Sequence, residues 1–219
     1  MHHLLYTGTK NASSWSLRAW LVMKEMGIAF EEREVDIRTP QRFANLAQIA
    51  TFSAPGAVPV LMAGDAVIYD SLAIMEYANE IGDGKLLPTD PVQRGEVRSM
   101  LSWQHSGLSQ ICRRLSFESA FYPDKRAMTP DELVEAARLF DVWEDALRHS
   151  GGPFLAGMLS LADLAFVPTV LRILSHWRGE VSARWPLCWL WTERLLERPF
   201  VEEWLAQARQ LPVVRLDDY

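Results

Sequence analysis

The first eighty residues alternate short apolar runs with stretches in which apolar positions recur every three to four residues. The short runs are typical of buried strands and the longer repeats of amphipathic helices. Gly27 follows the first repeat, as a left-handed helix cap favours, and Gly64 lies in a hairpin turn. The predicted order is βαβαββα, with strands at 4–6, 30–35, 58–62 and 67–69 and helices at 16–26, 40–49 and 71–81.

Beyond residue 91 the apolar pattern is helical throughout, after a stretch at 83–91 that is rich in turn-forming residues. Apolar positions from Val97 to Leu115 keep helical spacing, but Gln104 falls where an apolar residue is expected. A buried polar side chain needs a partner. We therefore predict an all-helical second domain, with further helices starting after Thr129 and at 160–174, 187–197 and 200–209.

Composition limits the possible functions. The chain has 219 residues, 49% of them hydrophobic and 23% charged, which is typical of a globular protein with two domains. Its formal net charge of −6 gives no support to binding a phosphate backbone. Two cysteines, Cys112 and Cys188, are too few for a disulfide framework or a zinc site. We expect a cytoplasmic protein with no metal, no nucleic-acid partner and no membrane span, and we interpret 154–171, which contains Asp163, as a buried helix.

Three serines, Ser13, Ser14 and Ser16, join the first predicted strand to the first helix. One serine is enough to cap a helix, and capping is what the spacing alone favours. The remaining hydroxyls can donate hydrogen bonds to an anion, such as a ligand thiolate, at the positive end of the helix.

Val58-Pro59 stands at the start of a predicted strand. A trans peptide bond is the common state, whereas a cis bond would turn the Val58 N–H and C=O outward, where an extended peptide ligand can pair with them. The sequence leaves the isomer open.

Two further helix starts combine a serine with an acid. Asp70 and Ser71 stand at the start of the helix at 71–81, where either residue can cap it or both can hold the amine and carboxylate of an amino acid. Ser160 and Asp163 have the spacing of a capping box, and there we favour the structural role.

Together the motifs Ser-Ser-Trp-Ser-Leu-Arg, Val-Pro, Asp-Ser-Leu-Ala-Ile and Gly-x-x-Ser-x-Ala-Asp resemble the cytosolic glutathione transferase superfamily, particularly its serine-type bacterial and zeta-like members. The resemblance implies a thioredoxin-like α/β N-terminal domain over 1–82 and an all-helical bundle domain over 92–219. It also implies a cis Val-Pro bond, glutathione as co-substrate and a homodimer.

The resemblance also implies the site. It implies a glutathione transferase, an enzyme that activates the glutathione thiol for attack on a small hydrophobic electrophile. We expect Ser13, with Ser14 as the alternative, to activate the thiol, and Gln104 to reach the partner's site in the dimer. The remaining expected contacts are Val58 and Pro59 for the peptide backbone, Asp70 and Ser71 for the γ-glutamyl head, and Trp15, His105 and Phe117 for the electrophile.

Two departures from the family pattern keep other functions open. Asp70 stands where Glu is more common, and Ala57 replaces a Lys or Gln that can contact the glycyl carboxylate. Affinity for glutathione is therefore expected to be modest. The alternatives are a maleylacetoacetate-type cis-trans isomerase, which also begins with thiolate addition, and a non-catalytic binding protein of the same fold. A thiol-exchange enzyme is disfavoured because the chain has no Cys-x-x-Cys motif.

Overall fold

A computed structural model describes residues 1–213 and 215, which form two compact units. One unit contains residues 1–84 and the described residues from 199 onward, and the other contains residues 85–198. The first boundary falls inside the predicted linker. At the other end of the chain, the last helix groups with the N-terminal unit and not with the bundle.

The N-terminal unit has the predicted βαβαββα order. Its sheet has the strand order β2-β1-β3-β4, with β1 and β2 parallel and β3 antiparallel to both of its neighbours. The limits differ from the prediction by up to two residues. The elements are β1 His3–Gly8, α1 Ser14–Glu25, β2 Glu31–Val35, α2 Gln41–Ala50, β3 Val60–Ala63, β4 Ala66–Tyr69 and α3 Ser71–Ile81.

The sheet topology gathers three chain segments at one edge. In the register, Tyr6 lies opposite Val60, which lies opposite Tyr69 on its other side. Strands β1 and β4 therefore end, and β3 begins, at the same edge of the sheet. The residues at the starts of α1 and α3 and those just before β3 are brought to this edge.

The second unit is helical, as predicted, but its first helix is interrupted. A π-helical turn, Trp103–Gly107, contains Gln104, and a 3-10 turn, Glu118–Phe121, follows the next helix. Neither turn was predicted from the sequence. The helices are α4 Pro91–Ser102, α5 Ser109–Arg114, α6 Pro130–Ser150, α7 Leu161–His176, α8 Val181–Arg184 and α9 Pro186–Leu196, and the last helix of the chain, α10, is Pro199–Ala208.

Aromatic packing explains why α10 belongs to the N-terminal unit. The buried Trp204 packs edge-to-face on Trp20 of α1, with ring centroids 5.4 Å apart. Its indole Nε1 donates a hydrogen bond to the Lys10 carbonyl at 3.0 Å. Burying a tryptophan removes a large apolar area from water, so this contact fixes the helix on α1.

The core of the helical unit is also aromatic. Trp143 packs within 5.4 Å, centroid to centroid, of Phe140, Phe166 and Trp191. The burial of 154–171 as a core segment is confirmed for the part in α7, whose residues 161–170 are all buried. Within the described part of the chain, no helix is both long and apolar enough to cross a membrane.

Candidate active site

Ser13 caps α1 and is already hydrogen-bonded within the protein. Its Oγ accepts from the Ser16 N–H at 3.3 Å and donates to Ser16 Oγ at 2.8 Å. Ser16 Oγ in turn accepts from the Gly8 N–H at the end of β1, at 2.9 Å. The Ser13 hydroxyl thus belongs to a short network that joins β1 to the first turn of α1.

Ser14 is the first residue of α1 and is 8% exposed. Its hydroxyl makes no hydrogen bond to any described residue. The N–H groups at the N-terminus of a helix carry partial positive charge, which stabilises an anion beside them. Of the two predicted thiol-activating serines, Ser14 is therefore the one with unused hydrogen-bonding capacity.

Gly8 lets the two halves of this region approach closely. A Cβ at Gly8 would lie 2.9 Å from both Ser13 Cβ and Val58 Cγ2, closer than real Cβ contacts allow. The absence of a side chain at the end of β1 thus brings the α1 N-terminus next to the segment before β3. This role of Gly8 was not predicted from the sequence.

The Val58–Pro59 bond is cis, which confirms what the resemblance implied. Val58 lies before Val60, where the strand pairing of β3 begins. Neither its N–H nor its C=O is hydrogen-bonded to a described residue. An extended peptide can pair with both groups as an added strand.

Asp70 caps α3 in an unusual backbone conformation. Its φ of 76° with ψ of 131° is a region that L-residues rarely adopt. Asp70 Oδ1 accepts hydrogen bonds from the N–H groups of Leu72 at 2.8 Å and Ala73 at 3.4 Å. The capping role left open by the sequence therefore belongs to Asp70, and the exposed carboxylate adds negative charge at this edge of the sheet.

Ser71 is 2% exposed, and its Oγ is buried without a hydrogen-bond partner. A buried hydroxyl without a partner costs free energy, so such groups are uncommon in folded proteins. Ser71 begins α3, and since the N–H groups of Leu72 and Ala73 donate to Asp70, the N–H that the cap leaves over is that of Ser71 itself. The Ser71 hydroxyl and N–H form a donor pair suited to a carboxylate.

Three predicted residues lie in the helical unit. Gln104 and His105 are in the π-helical turn, and Phe117 directly precedes the 3-10 turn. Gln104 is only 3% exposed, so its burial within its own chain does not favour the predicted reach to a partner's site. Trp15, on α1 of the N-terminal unit, is 41% exposed, and the Arg18 guanidinium lies 4.3 Å from its ring centroid. The electrophile wall stays a prediction.

Ser160 and Asp163 form the structural arrangement expected for them. The Asp163 carboxylate accepts four hydrogen bonds, from the N–H and hydroxyl of Ser160, the N–H of Leu155 and the indole N–H of Trp191. Complete burial raises the pKa of Asp163, and these hydrogen bonds oppose that shift. Every polar group here is satisfied, so no donor remains for a ligand.

Neither cysteine forms a disulfide in the described part of the chain. Burial, with nearby Glu144 adding to it, raises the pKa of the Cys188 thiol far above its ordinary value. The thiol form is inert as a nucleophile. Among the residues that the structure describes, no group of three His, Cys, Asp or Glu side chains is placed to hold a metal ion.

Comparison with known proteins agrees with the fold. Residues 12–81 match the family model "Glutathione S-transferase, N-terminal domain", and 115–208 match "Glutathione S-transferase, C-terminal domain". Glutathione S-transferase F10 of Arabidopsis thaliana is 32% identical over 164 residues, which cover 70% of this chain and 74% of that protein. Maleylacetoacetate isomerase of Mus musculus is 28% identical over 171 residues, or 76% of each chain.

A glutathione transferase homologue from Burkholderia, solved with bound glutathione, has the same fold. Its TM-score is 0.70 at 22% identity, over 97% of this chain and 100% of that one. From the two family models and the relatives together, the chain belongs to the cytosolic glutathione transferase superfamily.

Proposed function

We propose that this protein is a glutathione transferase in which Ser14 activates the glutathione thiol. The observation that carries the proposal is the Ser14 hydroxyl, which stands without a described partner at the N-terminus of α1 while Ser13 is used as the cap. Val58 lies beside this helix end, where its main-chain groups can bind the peptide backbone of glutathione.

The available interactions are large enough for thiol activation. A thiol with a pKa near 8.5 is only about 3% thiolate at pH 7. A hydrogen bond from Ser14 to the thiolate contributes roughly 1.5–3 kcal/mol and the helix end roughly 0.3–1 kcal/mol. Lowering the pKa by two units requires about 2.7 kcal/mol, so the two effects together suffice.

The γ-glutamyl head binds at the start of α3 in this proposal. Its carboxylate accepts hydrogen bonds from the Ser71 hydroxyl and the Ser71 N–H, and its ammonium pairs with the Asp70 carboxylate. This assignment gives the buried Ser71 hydroxyl the partner that it otherwise lacks. It also leaves the cap made by Asp70 Oδ1 intact.

The reaction begins when the thiol loses its proton to solvent. The thiolate sulfur then attacks an electrophilic carbon, a C–S bond forms, and the leaving group departs with its bonding electrons. The relatives named maleylacetoacetate isomerase favour a second candidate, in which the thiolate adds to a double bond and is later expelled. Glutathione is consumed in the first reaction and regenerated in the second.

The product separates the candidates. We expect the purified chain to convert 1-chloro-2,4-dinitrobenzene and glutathione to the conjugate with equimolar chloride release, and not to do so without glutathione. Isomerisation of a maleyl substrate without glutathione consumption would instead favour the isomerase. Binding of glutathione with neither product would contradict catalysis and leave the binding-protein alternative.

We also propose that the chain works in the cytoplasm as a homodimer, with glutathione-binding and helical domains near the limits 1–82 and 92–219. The two free cysteines fit a reducing compartment. Light scattering that gives twice the mass of one chain would support the dimer, and a monomer at micromolar concentration would contradict it.

A further inference from the structure

Asn11 lies in a tight turn that directly precedes the two candidate thiol-activating serines. The N–H groups of Ala12 and Ser13 both donate to the Thr9 carbonyl, each at 2.9 Å, and close this turn between β1 and α1. Residues 9–12 are all buried. The conformation of the turn therefore sets where the N-terminus of α1, with its serines, lies relative to the sheet.

The first two residues of the turn are fixed by other parts of the N-terminal unit. Thr9 Oγ1 accepts a hydrogen bond from the Ile37 N–H at 3.1 Å. The Lys10 ammonium pairs with Glu32, and the Lys10 carbonyl accepts from the Trp204 indole N–H at 3.0 Å. These partners belong to three different segments, so the turn is held from several sides.

Asn11 is bound by the segment that follows α10. Its side-chain Nδ2 donates to the Pro212 carbonyl at 2.8 Å. Main-chain hydrogen bonds from Gln210 and Leu211 to the last turn of α10 set the path of this segment. The bond to Pro212 therefore ties the turn before α1 to a part of the chain that is 201 positions away in sequence.

Only half of the Asn11 amide is satisfied in the described part of the chain. Asn11 is 1% exposed, and its Oδ1 is buried without a hydrogen-bond partner. A buried acceptor without a donor costs at least as much free energy as one neutral hydrogen bond contributes. The amide of Asn11 therefore adds little or nothing to stability, and its bond to Pro212 fits a role in function better than a role in folding.

We propose that Asn11 is a positioning residue for the thiol-activating serines and that it acts through the segment 209–213. By joining that segment to the turn, Asn11 holds the N-terminus of α1 in the one position where it meets the glutathione thiolate. Donors stabilise an anion best when they are held in place before the ligand binds. This role rests on the proposed transferase function. Asn11 is not among the groups assigned to the peptide backbone or the γ-glutamyl head of glutathione, so its loss should lower kcat more than affinity.

Asn11→Leu tests the proposal, because leucine has a similar volume and lacks both the donor and the unsatisfied acceptor. With 1-chloro-2,4-dinitrobenzene as substrate, kcat should fall about fivefold, since the serine hydroxyl is held less precisely. The pKa of the bound glutathione thiol should rise towards that of free glutathione, and the Kd for glutathione should change by less than about twofold. Tm should stay the same or rise.

Asn45→Leu is the matched control. Asn45, on α2, also donates its side-chain Nδ2 to a main-chain carbonyl, that of Asp36, at 2.8 Å. The variant loses the same kind of bond in the same unit, so it should leave kcat and the thiol pKa unchanged. A lower Tm for Asn11→Leu with kcat and the thiol pKa unchanged would show that Asn11 is purely structural and would overturn the proposal.

A chain shortened after Gln210 removes the Pro212 carbonyl and keeps Asn11. Pro212 and Val213 are exposed, so the shortening removes little packing. The shortened chain should show the same lower kcat and raised thiol pKa as Asn11→Leu. Adding Asn11→Leu to it should change neither value further, because the two changes remove one and the same bond. Additive effects would show that Asn11 acts without the segment and would overturn the proposal.

Hydrogen exchange gives a measurement that does not depend on glutathione. The N–H groups of Ala12 and Ser13 should exchange faster in Asn11→Leu and in the shortened chain, but not in Asn45→Leu. Unchanged exchange in Asn11→Leu would overturn the role of Asn11 while the transferase function stands. If the unaltered chain shows neither turnover nor a lowered thiol pKa, the transferase function is contradicted, and the role of Asn11 is contradicted with it.

Discussion

The helix N-termini of the helical unit differ from those of the N-terminal unit, although both use serine, threonine and acidic residues. At the start of α6, Thr129 and Glu132 bond each other's main chain, and at the start of α7 the Asp163 carboxylate accepts four hydrogen bonds. At the start of α1 and α3, Ser13 and Asp70 form the caps. The adjacent hydroxyls of Ser14 and Ser71 have no described partner.

The same residue types therefore serve either to cap a helix or to bind a ligand. The two roles differ in whether a hydroxyl is left without a hydrogen-bond partner in the protein. A satisfied cap stabilises its helix and offers nothing to a ligand. A second hydroxyl beside a satisfied cap costs stability until a ligand accepts its hydrogen bond. On this basis we propose that the α6 and α7 termini are structural and that the α1 and α3 termini bind ligand.

The largest expected effect is on stability, at α7. Asp163→Ala leaves four buried donors without an acceptor and should lower the free energy of unfolding by more than about 3 kcal/mol. Ser160→Ala, the smaller change at the same terminus, should cost roughly 0.5–2 kcal/mol. Urea unfolding measures both. Glutathione affinity should be unchanged in Ser160→Ala, and a weaker affinity would mean that this terminus also contacts ligand.

Ser71→Ala should lower the affinity for glutathione without lowering stability, the reverse of Ser160→Ala. It removes a hydroxyl that has no partner in the protein, so the free energy of unfolding should stay the same or rise slightly. Glutathione should bind roughly tenfold more weakly, because a hydrogen bond to its carboxylate is lost. Destabilisation with unchanged glutathione affinity would contradict the distinction between the two units.

Asp70→Asn tests the charge at α3 separately from the cap, because asparagine also caps helices well. The affinity for glutathione should fall about fivefold, since the charged partner of its ammonium is replaced by a neutral one. A glutathione analogue without the α-amine should bind both proteins equally, as calorimetry can measure. If the affinities for glutathione and for the analogue fall equally, Asp70 has a purely structural role.

The smallest effect concerns pH at α6. The Arg126 guanidinium, with the Thr129 N–H, lowers the pKa of Glu132 to about 2 from its ordinary 4.5. Because the folded-state pKa is the lower one, this stabilisation is present above pH 4.5 and is lost as pH falls towards 2. Glu132→Gln should therefore lower the free energy of unfolding by about 1 kcal/mol at neutral pH. As pH falls, the free energy of unfolding of this variant should decrease less steeply than that of the unaltered protein. Parallel curves of stability against pH would contradict this.

The order of elements in the N-terminal unit, the helical character of the second unit and the capping box of α7 were predicted from the sequence, because these depend on local spacing. The sequence did not reveal whether Ser13 or Ser14 caps α1. The answer changes if the helix begins one residue earlier or later. The buried Ser71 hydroxyl, which has no hydrogen-bond partner in the protein, was also not predicted. It depends on what surrounds the side chain in three dimensions, which a helical pattern does not contain.

The packing of α10 on α1 shows the same limit. The pattern predicted the helix, but its assignment to the N-terminal unit depends on the contact between Trp204 and Trp20, which are far apart in sequence. The interruption of the first helix in the helical unit was indicated by one feature of the sequence. Gln104 is polar and lies at a position where an apolar residue is expected. That signal indicated an irregularity without showing its form.

The most direct test of the central claim is the pKa of the bound glutathione thiol, followed by thiolate absorbance in the ultraviolet as pH is raised. We expect this pKa to lie below that of free glutathione, and Ser14→Ala to move it back upward. Ser13→Ala should lower the stability of the protein but move the thiol pKa less, because Ser13 is the α1 cap. A thiol pKa that is unchanged in Ser14→Ala and raised in Ser13→Ala would contradict the assignment.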